Sequence, residues 1–142
     1  MSNFTSKQEL LTIIIPTKDR PYLLNRSLYY YTKADFMTRI IVADSSNKAL
    51  LNETKKICNK YSDRLTIDYF NVDVDTEISE KQHIAAEMVT TPYLLLIGDD
   101  DFPLKSTIED ILIELEKDKS IVAAFGQRVA ITQIDNKTSG FK

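Results

Sequence analysis

The most constraining stretch of this sequence is an unbroken apolar run that ends in a glycine and three carboxylates. Residues 93–97 are all apolar or aromatic, and Pro92 and Gly98 bound them. The acids that follow are Asp99, Asp100 and Asp101. A run of this length between two breakers predicts a β-strand, and a strand that is apolar on both faces is typical of a central strand covered by helices. We therefore expect residues 93–97 to lie inside a mostly parallel sheet.

The three adjacent carboxylates at the end of this strand predict a cation site. Crowded carboxylates repel one another and lose solvation, and a bound cation relieves both penalties. Hard oxygen ligands suit Mg²⁺ or Mn²⁺, which often share their coordination with substrate phosphates. The alternative is a solvated acidic turn before the next helix. The carboxyl end of a buried strand is where open α/β sheets bind ligands, so the position favours the metal hypothesis.

The rest of the chain alternates between strand and helix patterns. Strands are predicted at residues 11–15, 40–43, 65–70, 93–97 and 121–125, with a possible outer strand within residues 127–134. The polar–apolar alternation of residues 65–70 indicates an edge strand, and the Ser-Glu-Lys-Gln sequence at 79–82 predicts a capping box that opens the third helix. Strands separated by helices imply right-handed crossovers and an open, mostly parallel α/β sheet.

Composition restricts the class of protein. At 142 residues, 43% of them hydrophobic, the chain is long enough for one domain with its own core. A net charge of -3 gives no basic footprint, so we expect no nucleic acid partner. Cys58 is the single cysteine, which fits a reducing compartment. No apolar run is long enough to span a bilayer, so we expect a cytoplasmic protein whose membrane association, if any, is peripheral.

Three polar segments follow predicted strands and should meet at one edge of the sheet. They are residues 17–20, 44–46 and 99–101. Asp44 could accept hydrogen bonds from a base or ribose, the acidic triplet could hold a metal on a diphosphate, and Lys18 and Arg20 could neutralise phosphate charge. The three glycines stand at 98, 126 and 140, so the chain has neither a Rossmann Gly-x-Gly-x-x-Gly fingerprint nor a Walker P-loop.

Three blocks of the sequence, in this order, resemble family 2 glycosyltransferases. Residues 13–21 (IIIPTKDRP) resemble the family's first strand and loop, and residues 40–46 (IIVADSS) its second strand with a nucleotide-contacting Asp. Residues 91–101 (TPYLLLIGDDD) resemble the strand that leads to the family's Asp-x-Asp metal motif. The resemblance covers nearly the whole chain. It implies a GT-A (Rossmann-like) fold, a nucleotide-diphosphate sugar donor, a Mn²⁺ or Mg²⁺ ion, and a glycan, lipid or protein acceptor.

The resemblance also implies roles for individual residues. Pro16, Thr17 and Asp19 would line the nucleoside pocket, Asp44 would contact the base or ribose, and Asp100 would be the first metal ligand. The full set of implied nucleotide-binding residues is Pro16, Thr17, Asp19, Arg20, Asp44, Gln82, His83 and Asp99. The implied metal ligands are Asp99, Asp100 and Asp101.

The sequence departs from the family pattern at several positions. Lys18 replaces the usual aromatic residue, and Asp19 the usual Asn. Gly98 stands where many members have the first acid of the metal motif, so the register of that motif is open by one residue. Gln82 and His83 fall where the family often has Arg-Asn, and His83 is either a nucleotide contact or an exposed helix residue.

The chain is also shorter than the family pattern. The family's later region builds the acceptor site and supplies the catalytic base, and no residue after Gln133 is a plausible base. We therefore expect residues 1–142 to be one nucleotide-sugar-binding domain: the N-terminal part of a longer glycosyltransferase, or a short inactive relative. The alternatives are a non-catalytic α/β nucleotide-binding or interaction module, such as a receiver-like domain, and a metal-dependent nucleotidyltransferase or phosphatase. The acids follow the fourth strand, which counts against a receiver and against a dehalogenase-type phosphatase.

Overall fold

The computed structural model describes residues 10–36, 38–130, 132–134 and 137–139. The elements, in chain order, are β1 (Leu11–Thr17), α1 (Pro21–Lys33), β2 (Arg39–Asp44), α2 (Lys48–Tyr61), β3 (Thr66–Asn71), α3 (Ile78–Glu87), β4 (Tyr93–Leu96), α4 (Lys105–Lys117), β5 (Thr132–Ile134) and β6 (Lys137–Ser139). They divide into two compact units, one up to Lys105 and one from Ser106 onward. Within the described residues, no helix has the length and apolar character that crossing a membrane requires.

The first unit is built on a four-stranded sheet with the strand order β3-β2-β1-β4. All three pairings are parallel, and the register places Thr17 beside Asp44 at the carboxyl ends of β1 and β2. The helices alternate with the strands, as right-handed crossovers require. The prediction of a mostly parallel α/β sheet is confirmed, and so is the edge position of the third strand.

The core of the first unit lies on the two central strands. Every residue of β1 is buried, and so is β2 from Ile40 onward. The strands are rich in isoleucine and valine, whose branched side chains fill a pleated surface well. Helix α3 covers one face by packing Ala85 against Ile14 and Ile41. Each isoleucine buried in this way contributes about 1.5–3 kcal/mol through the removal of apolar surface from water.

Strand β4 differs from its prediction. It is a strand of the sheet, as expected, but among the described residues it lies at the edge and pairs with β1 alone. Leu94 and Leu96 are 47% and 44% exposed. The register puts Leu96 beside Ile14, on the face that α3 covers, but the main contacts of α3 are with β1 and β2. The prediction of a central strand covered on both faces is therefore wrong for the described residues, where β4 is an edge strand and α3 contacts mainly β1 and β2.

The predicted fifth strand is also wrong. Residues 121–125 lie in a described segment that is neither helix nor strand, and Val122 is 97% exposed. Of the predicted outer strand at 127–134, the structure has Thr132–Ile134 as β5, which pairs antiparallel with β6 in the second unit. An apolar run with high β-propensity forms a strand only where another strand pairs with it, and none in the described residues pairs with residues 121–125.

Two local predictions about element ends are wrong as well. Helix α3 begins at Ile78 with Glu77 as its N-cap and without a side-chain capping hydrogen bond, so residues 79–82 do not form a capping box. Strand β1 was expected to end at Pro16 but continues to Thr17. The pairing of β4 with β1 ends before Pro16, where the Ile97 N–H donates to the Ile14 carbonyl. The N–H that Pro16 lacks is therefore not needed for a hydrogen bond to β4.

We predict that two aliphatic residues on the same sheet face differ in their contribution to stability. Ile41→Ala removes a fully buried side chain and should lower the free energy of unfolding by about 2–5 kcal/mol. Leu94→Ala removes a half-exposed one and should cost less than about 1 kcal/mol. Urea unfolding followed by circular dichroism measures both. Equal costs would show that β4 is as deeply buried as β2.

Candidate functional site

The ends of β1, β2 and β4 meet at one edge of the sheet. The Ser45 N–H donates to the Thr17 carbonyl over 3.1 Å, which joins the first two strand ends. The Thr17 hydroxyl donates to Asp99 Oδ2 over 2.6 Å, which brings the acidic turn to the same place. The prediction that Asp44, residues 17–20 and the acidic triplet share this edge is confirmed.

Asp99 is the anchor of the acidic turn. Its side chain is fully buried, and Arg20 Nη2 lies 2.7 Å from its Oδ1 atom. That ion pair is not aligned as a hydrogen bond, so Oδ1 is a buried acceptor that lacks a hydrogen-bond partner among the described residues. Burial raises the pKa of Asp99, while the Thr17 hydroxyl and the Arg20 guanidinium act in the opposite direction. The nearest charged neighbour of Asp99 Oδ1 is thus the Arg20 guanidinium.

Asp100 and Asp101 are exposed and turn back over Gly98. The Asp101 N–H donates to the Gly98 carbonyl over 3.3 Å and closes the turn. A Cβ atom at Gly98 would lie 2.8 Å from Asp100 Oδ1 and 3.5 Å from Asp101 Oδ2. The first distance is shorter than real contacts allow, so a side chain at 98 would require the exposed Asp100 carboxylate to shift, whereas the second is an ordinary contact. Arg20 Nη1 also lies 3.6 Å from Asp100 Oδ2.

The three aspartates do not form a ready metal cage. In the part of the chain that the structure describes, no group of three or more acidic, histidine or cysteine side chains is placed to hold a metal ion. Asp99 faces Thr17 and Arg20, whereas Asp100 and Asp101 face solvent above Gly98. The turn therefore offers carboxylate oxygens, which suit Mg²⁺ and Mn²⁺, but these carboxylates point in two different directions.

Asp44 is held inside the protein. It is fully buried, its Oδ1 accepts from the Ser46 N–H over 2.8 Å, and its Oδ2 accepts from the Tyr69 hydroxyl over 2.9 Å. Burial and this carboxylate together raise the pKa of Tyr69. The contact of Asp44 with a base or ribose stays a prediction, and it requires the atoms that cover the carboxylate to move.

Asp19 joins two loops of the edge. It adopts a left-handed backbone conformation with φ of 55°, which aspartate tolerates better than most residues. Its N–H donates to Ser46 Oγ over 2.8 Å, and its Oδ1 accepts from both the backbone and the side-chain nitrogen of Asn47, each at 2.8 Å. Asn47 in turn caps α2. The role that the structure gives Asp19 is to fix the first loop against the second.

Other predicted residues lie at different depths. Pro16 is buried inside β1, and Lys18 Nζ donates to the Val74 carbonyl over 2.6 Å, so Lys18 ties the loop after β3 to this edge. Gln82 is half-buried on α3. The His83 side chain is 73% exposed and lies 3.7 Å from Glu87 along the same helix. His83 is therefore an exposed helix residue, and its contact with a nucleotide stays a prediction.

Sequence reasoning missed Lys81. This residue is 3% exposed, and its Nζ donates to the Thr17 carbonyl over 2.7 Å and to Ser45 Oγ over 2.8 Å. A signal was present in the sequence, since Lys81 stands four residues before Ala85, on the stripe of α3 that faces inward. A lysine on the apolar stripe of a helix indicates a buried polar partner.

Comparisons with known proteins agree with this architecture. The profile of the family described as Glycosyl transferase family 2 matches residues 12–139. The crystal structure of S. aureus TarS 1-349 is similar with a TM-score of 0.66 and 19% identity, covering 76% of this chain and 32% of that one. A second crystal structure of S. aureus TarS gives 0.63 and 20%, covering 76% of this chain and 20% of that one. The comparison with curated proteins gave no match.

These similarities have a defined reach. At such identities the solved structures show the fold, and it is the GT-A-like α/β fold that the sequence predicted. This chain spans about a third or less of the length of either structure. The family match covers more of the chain than the two structural similarities do. It includes all of β1 to β4 apart from Leu11.

We predict that Thr17→Val destabilises the protein in a pH-dependent way. The substitution leaves Asp99 Oδ2 without its donor, which should cost about 1–3 kcal/mol when the carboxylate is charged. The Thr17 hydroxyl lowers the pKa of Asp99, so its loss raises that pKa further in the folded state. A carboxyl group whose pKa is raised in the folded state favours folding at low pH. This contribution to the free energy of unfolding is lost as the pH rises through the raised pKa.

Urea unfolding at about pH 4 and about pH 7 therefore measures the effect, and the cost of Thr17→Val should be larger at the higher pH. Thr54→Val is the matched control, since Thr54 is equally buried but donates to the Leu50 carbonyl of its own helix. Its cost should be the same at both pH values. A pH-independent cost of Thr17→Val would contradict the charged contact.

Proposed function

This chain belongs to glycosyl transferase family 2, and on that premise we propose that it binds a nucleotide-diphosphate sugar as the donor part of a glycosyltransferase. The sugar would pass to an acceptor that is a glycan, a lipid or a protein. One observation carries the proposal. Buried Asp99, half-exposed Arg20 and exposed Asp100 meet at the carboxyl edge of the parallel sheet. Such an edge is where α/β sheets bind nucleotides.

The charges at this edge suit a metal-bound diphosphate better than a bare anion or a bare cation. Arg20 presents a guanidinium that is half-exposed and therefore reachable by phosphate oxygens. Arginine binds phosphate through two parallel N–H donors, which fixes orientation as well as charge. The aspartates beside it would repel phosphates unless a cation stood between them. A ligand that brings phosphates for Arg20 and a divalent cation for the aspartates satisfies both kinds of charge at this edge.

The residues present fit a divalent cation by their chemistry. Asp100 and Asp101 are exposed oxygen donors on one turn, and beside them Asp99 Oδ1 lies buried against the Arg20 guanidinium. Mn²⁺ and Mg²⁺ prefer such hard oxygen ligands and complete their shells with phosphate oxygens and water. We propose Asp100 as the first ligand, with Asp99 and Asp101 beside it. When bound, the ion would supply Lewis-acid stabilisation of charge on the departing nucleoside diphosphate.

The chain's own residues would orient the nucleoside. We propose that the loop from Thr17 to Arg20 forms one wall of the nucleoside pocket. Asp19 keeps this loop fixed, because three hydrogen bonds tie it to Ser46 and Asn47. A wall that is rigid before binding costs less conformational entropy when the ligand arrives. Asp44 remains our proposed contact for the base or ribose.

We predict that nucleoside diphosphate binding depends on Mn²⁺. Isothermal titration with uridine, guanosine, cytidine and thymidine diphosphates, each with Mn²⁺ and with chelator, measures this. At least one should bind more tightly with the metal, and the metal should gain affinity by the same factor in the presence of that nucleotide. Asp100→Asn keeps the shape but removes a charge, so it should reduce this coupling factor.

The matched control for this titration is Asp73→Asn. Asp73 is an exposed acid in another loop, where its Oδ1 accepts from the Asp75 N–H, a bond that asparagine can also accept. Its substitution should leave the coupling unchanged. Equal nucleotide affinity with metal and with chelator would identify the triplet as a solvated turn and would remove the basis of the proposed donor site.

We also predict that Gly98→Ala weakens Mn²⁺ binding. The added methyl group would lie 2.8 Å from Asp100 Oδ1, so the carboxylate must move away from its present position. Mn²⁺ affinity in the presence of the nucleotide should fall about tenfold, a loss of about 1.4 kcal/mol. Gly126→Ala adds the same methyl group where no atom lies within 4 Å, and it should have no effect. Unchanged affinity in Gly98→Ala would show that Asp100 is not a ligand.

A further inference from the structure

We infer that Lys81 is a positioning residue of the donor site, which holds the ends of β1 and β2 at the spacing that nucleotide binding needs. The inference rests on the proposed function, since it assigns a role within that site. Lys81 is buried and does not itself face a ligand. It would act through Thr17 and Ser45, the two residues that its ammonium group contacts.

The contacts of Lys81 lie where the two strands separate. Its Nζ donates to the Thr17 carbonyl over 2.7 Å, and the same carbonyl accepts from the Ser45 N–H over 3.1 Å. Its second bond goes to Ser45 Oγ over 2.8 Å. The ammonium group thus bridges the last residue of β1 and the first residue after β2. It adds side-chain hydrogen bonds to the backbone ladder that joins β1 and β2 here.

Each of the two bridged residues leads directly to a group of the proposed site. The side chain of Thr17 donates to Asp99, so fixing the Thr17 peptide also fixes the anchor of the acidic turn. Ser45 precedes Ser46, whose hydroxyl accepts from the Asp19 N–H and whose own N–H donates to Asp44. The metal half and the nucleoside half of the site are therefore joined through Lys81.

The energetics argue that Lys81 is not there for stability alone. A buried ammonium loses its hydration, and burial lowers the pKa of Lys81 accordingly. Its two hydrogen-bond partners are neutral, while Asp44 and Asp99 favour the charged form and Lys18 and Arg20 disfavour it. An apolar side chain at such a buried position is often no worse for stability than a charge. An apolar side chain lacks the N–H donors with which Lys81 holds Thr17 and Ser45 in place.

The test compares Lys81→Met with Lys55→Met. Both remove one positive charge, but Lys55 is exposed on α2. We expect Lys81→Met to raise the Kd for the nucleoside diphosphate with Mn²⁺ by about tenfold or more, the effect of losing a charge-assisted hydrogen bond. Lys55→Met should bind as the unchanged protein does. Ile41→Val, a core change remote from the edge, serves as the control for destabilisation and should leave the Kd unchanged.

A double-mutant cycle with Ser45→Ala makes the test specific. Ser45→Ala removes one acceptor of Lys81 and should weaken binding by itself, but it should add little in the Lys81→Met background, because both changes break the same bridge. The amide of Ser45, measured by hydrogen exchange, should exchange faster in Lys81→Met and not in Ile41→Val. If Lys81→Met does not fold, Ser45→Ala alone carries the test.

The outcomes separate the inference from the proposed function. Equal Kd values for Lys81→Met and the unchanged protein, or additive effects of the two substitutions, would overturn the positioning role and leave the donor site intact. Failure of the unchanged protein to bind any nucleoside diphosphate with Mn²⁺ would overturn the proposed function and the positioning role with it.

Discussion

The burial of one carboxylate, that of Asp99, determines the arrangement of this edge of the sheet. A charged oxygen away from water needs a donor and an opposite charge close by. Thr17 supplies the donor and Arg20 the charge, so β1 must extend past Pro16 and α1 must begin directly after Arg20. The short segment between strand and helix is thus constrained at both ends by a residue far away in the sequence.

Asp44 is a second buried acid at this edge of the sheet. Its two oxygens accept from Ser46 and Tyr69, and its charge, like that of Asp99, favours the charged form of Lys81. Two buried carboxylates, one buried ammonium and one half-exposed guanidinium therefore form a nearly neutral group below an exposed acidic turn. In a region of low dielectric such a group resists rearrangement, because moving one member leaves another unpaired. This stiffness is the property that a preorganised nucleotide site needs.

The sequence was informative where local patterns decide the structure and uninformative where distant pairing does. The apolar runs predicted β1 and β2, and the alternation of strands and helices placed three polar loops at one edge, because parallel strands end on the same side. The edge position of β4 and the exposed state of residues 121–125 depend on which strands pair, and that is not a local property. The position of Lys81 on the inward stripe of α3 was a local signal, but its partners were not predictable, since they lie 64 and 36 residues away in the chain.

Gly98 is a departure from the family pattern that lets the Asp100 carboxylate lie close to the backbone of the turn. The resemblance left the register of the metal motif open by one residue, with glycine where an acid is usual. In this structure a Cβ at that position would lie 2.8 Å from Asp100 Oδ1, so a larger residue at 98 would require the exposed Asp100 carboxylate to shift. The carboxylates are displaced along the chain instead: Asp99 is directed inward as the buried anchor, and Asp100 and Asp101 are left facing solvent. The turn thus separates one buried acid, which contacts Thr17 and Arg20, from two exposed acids.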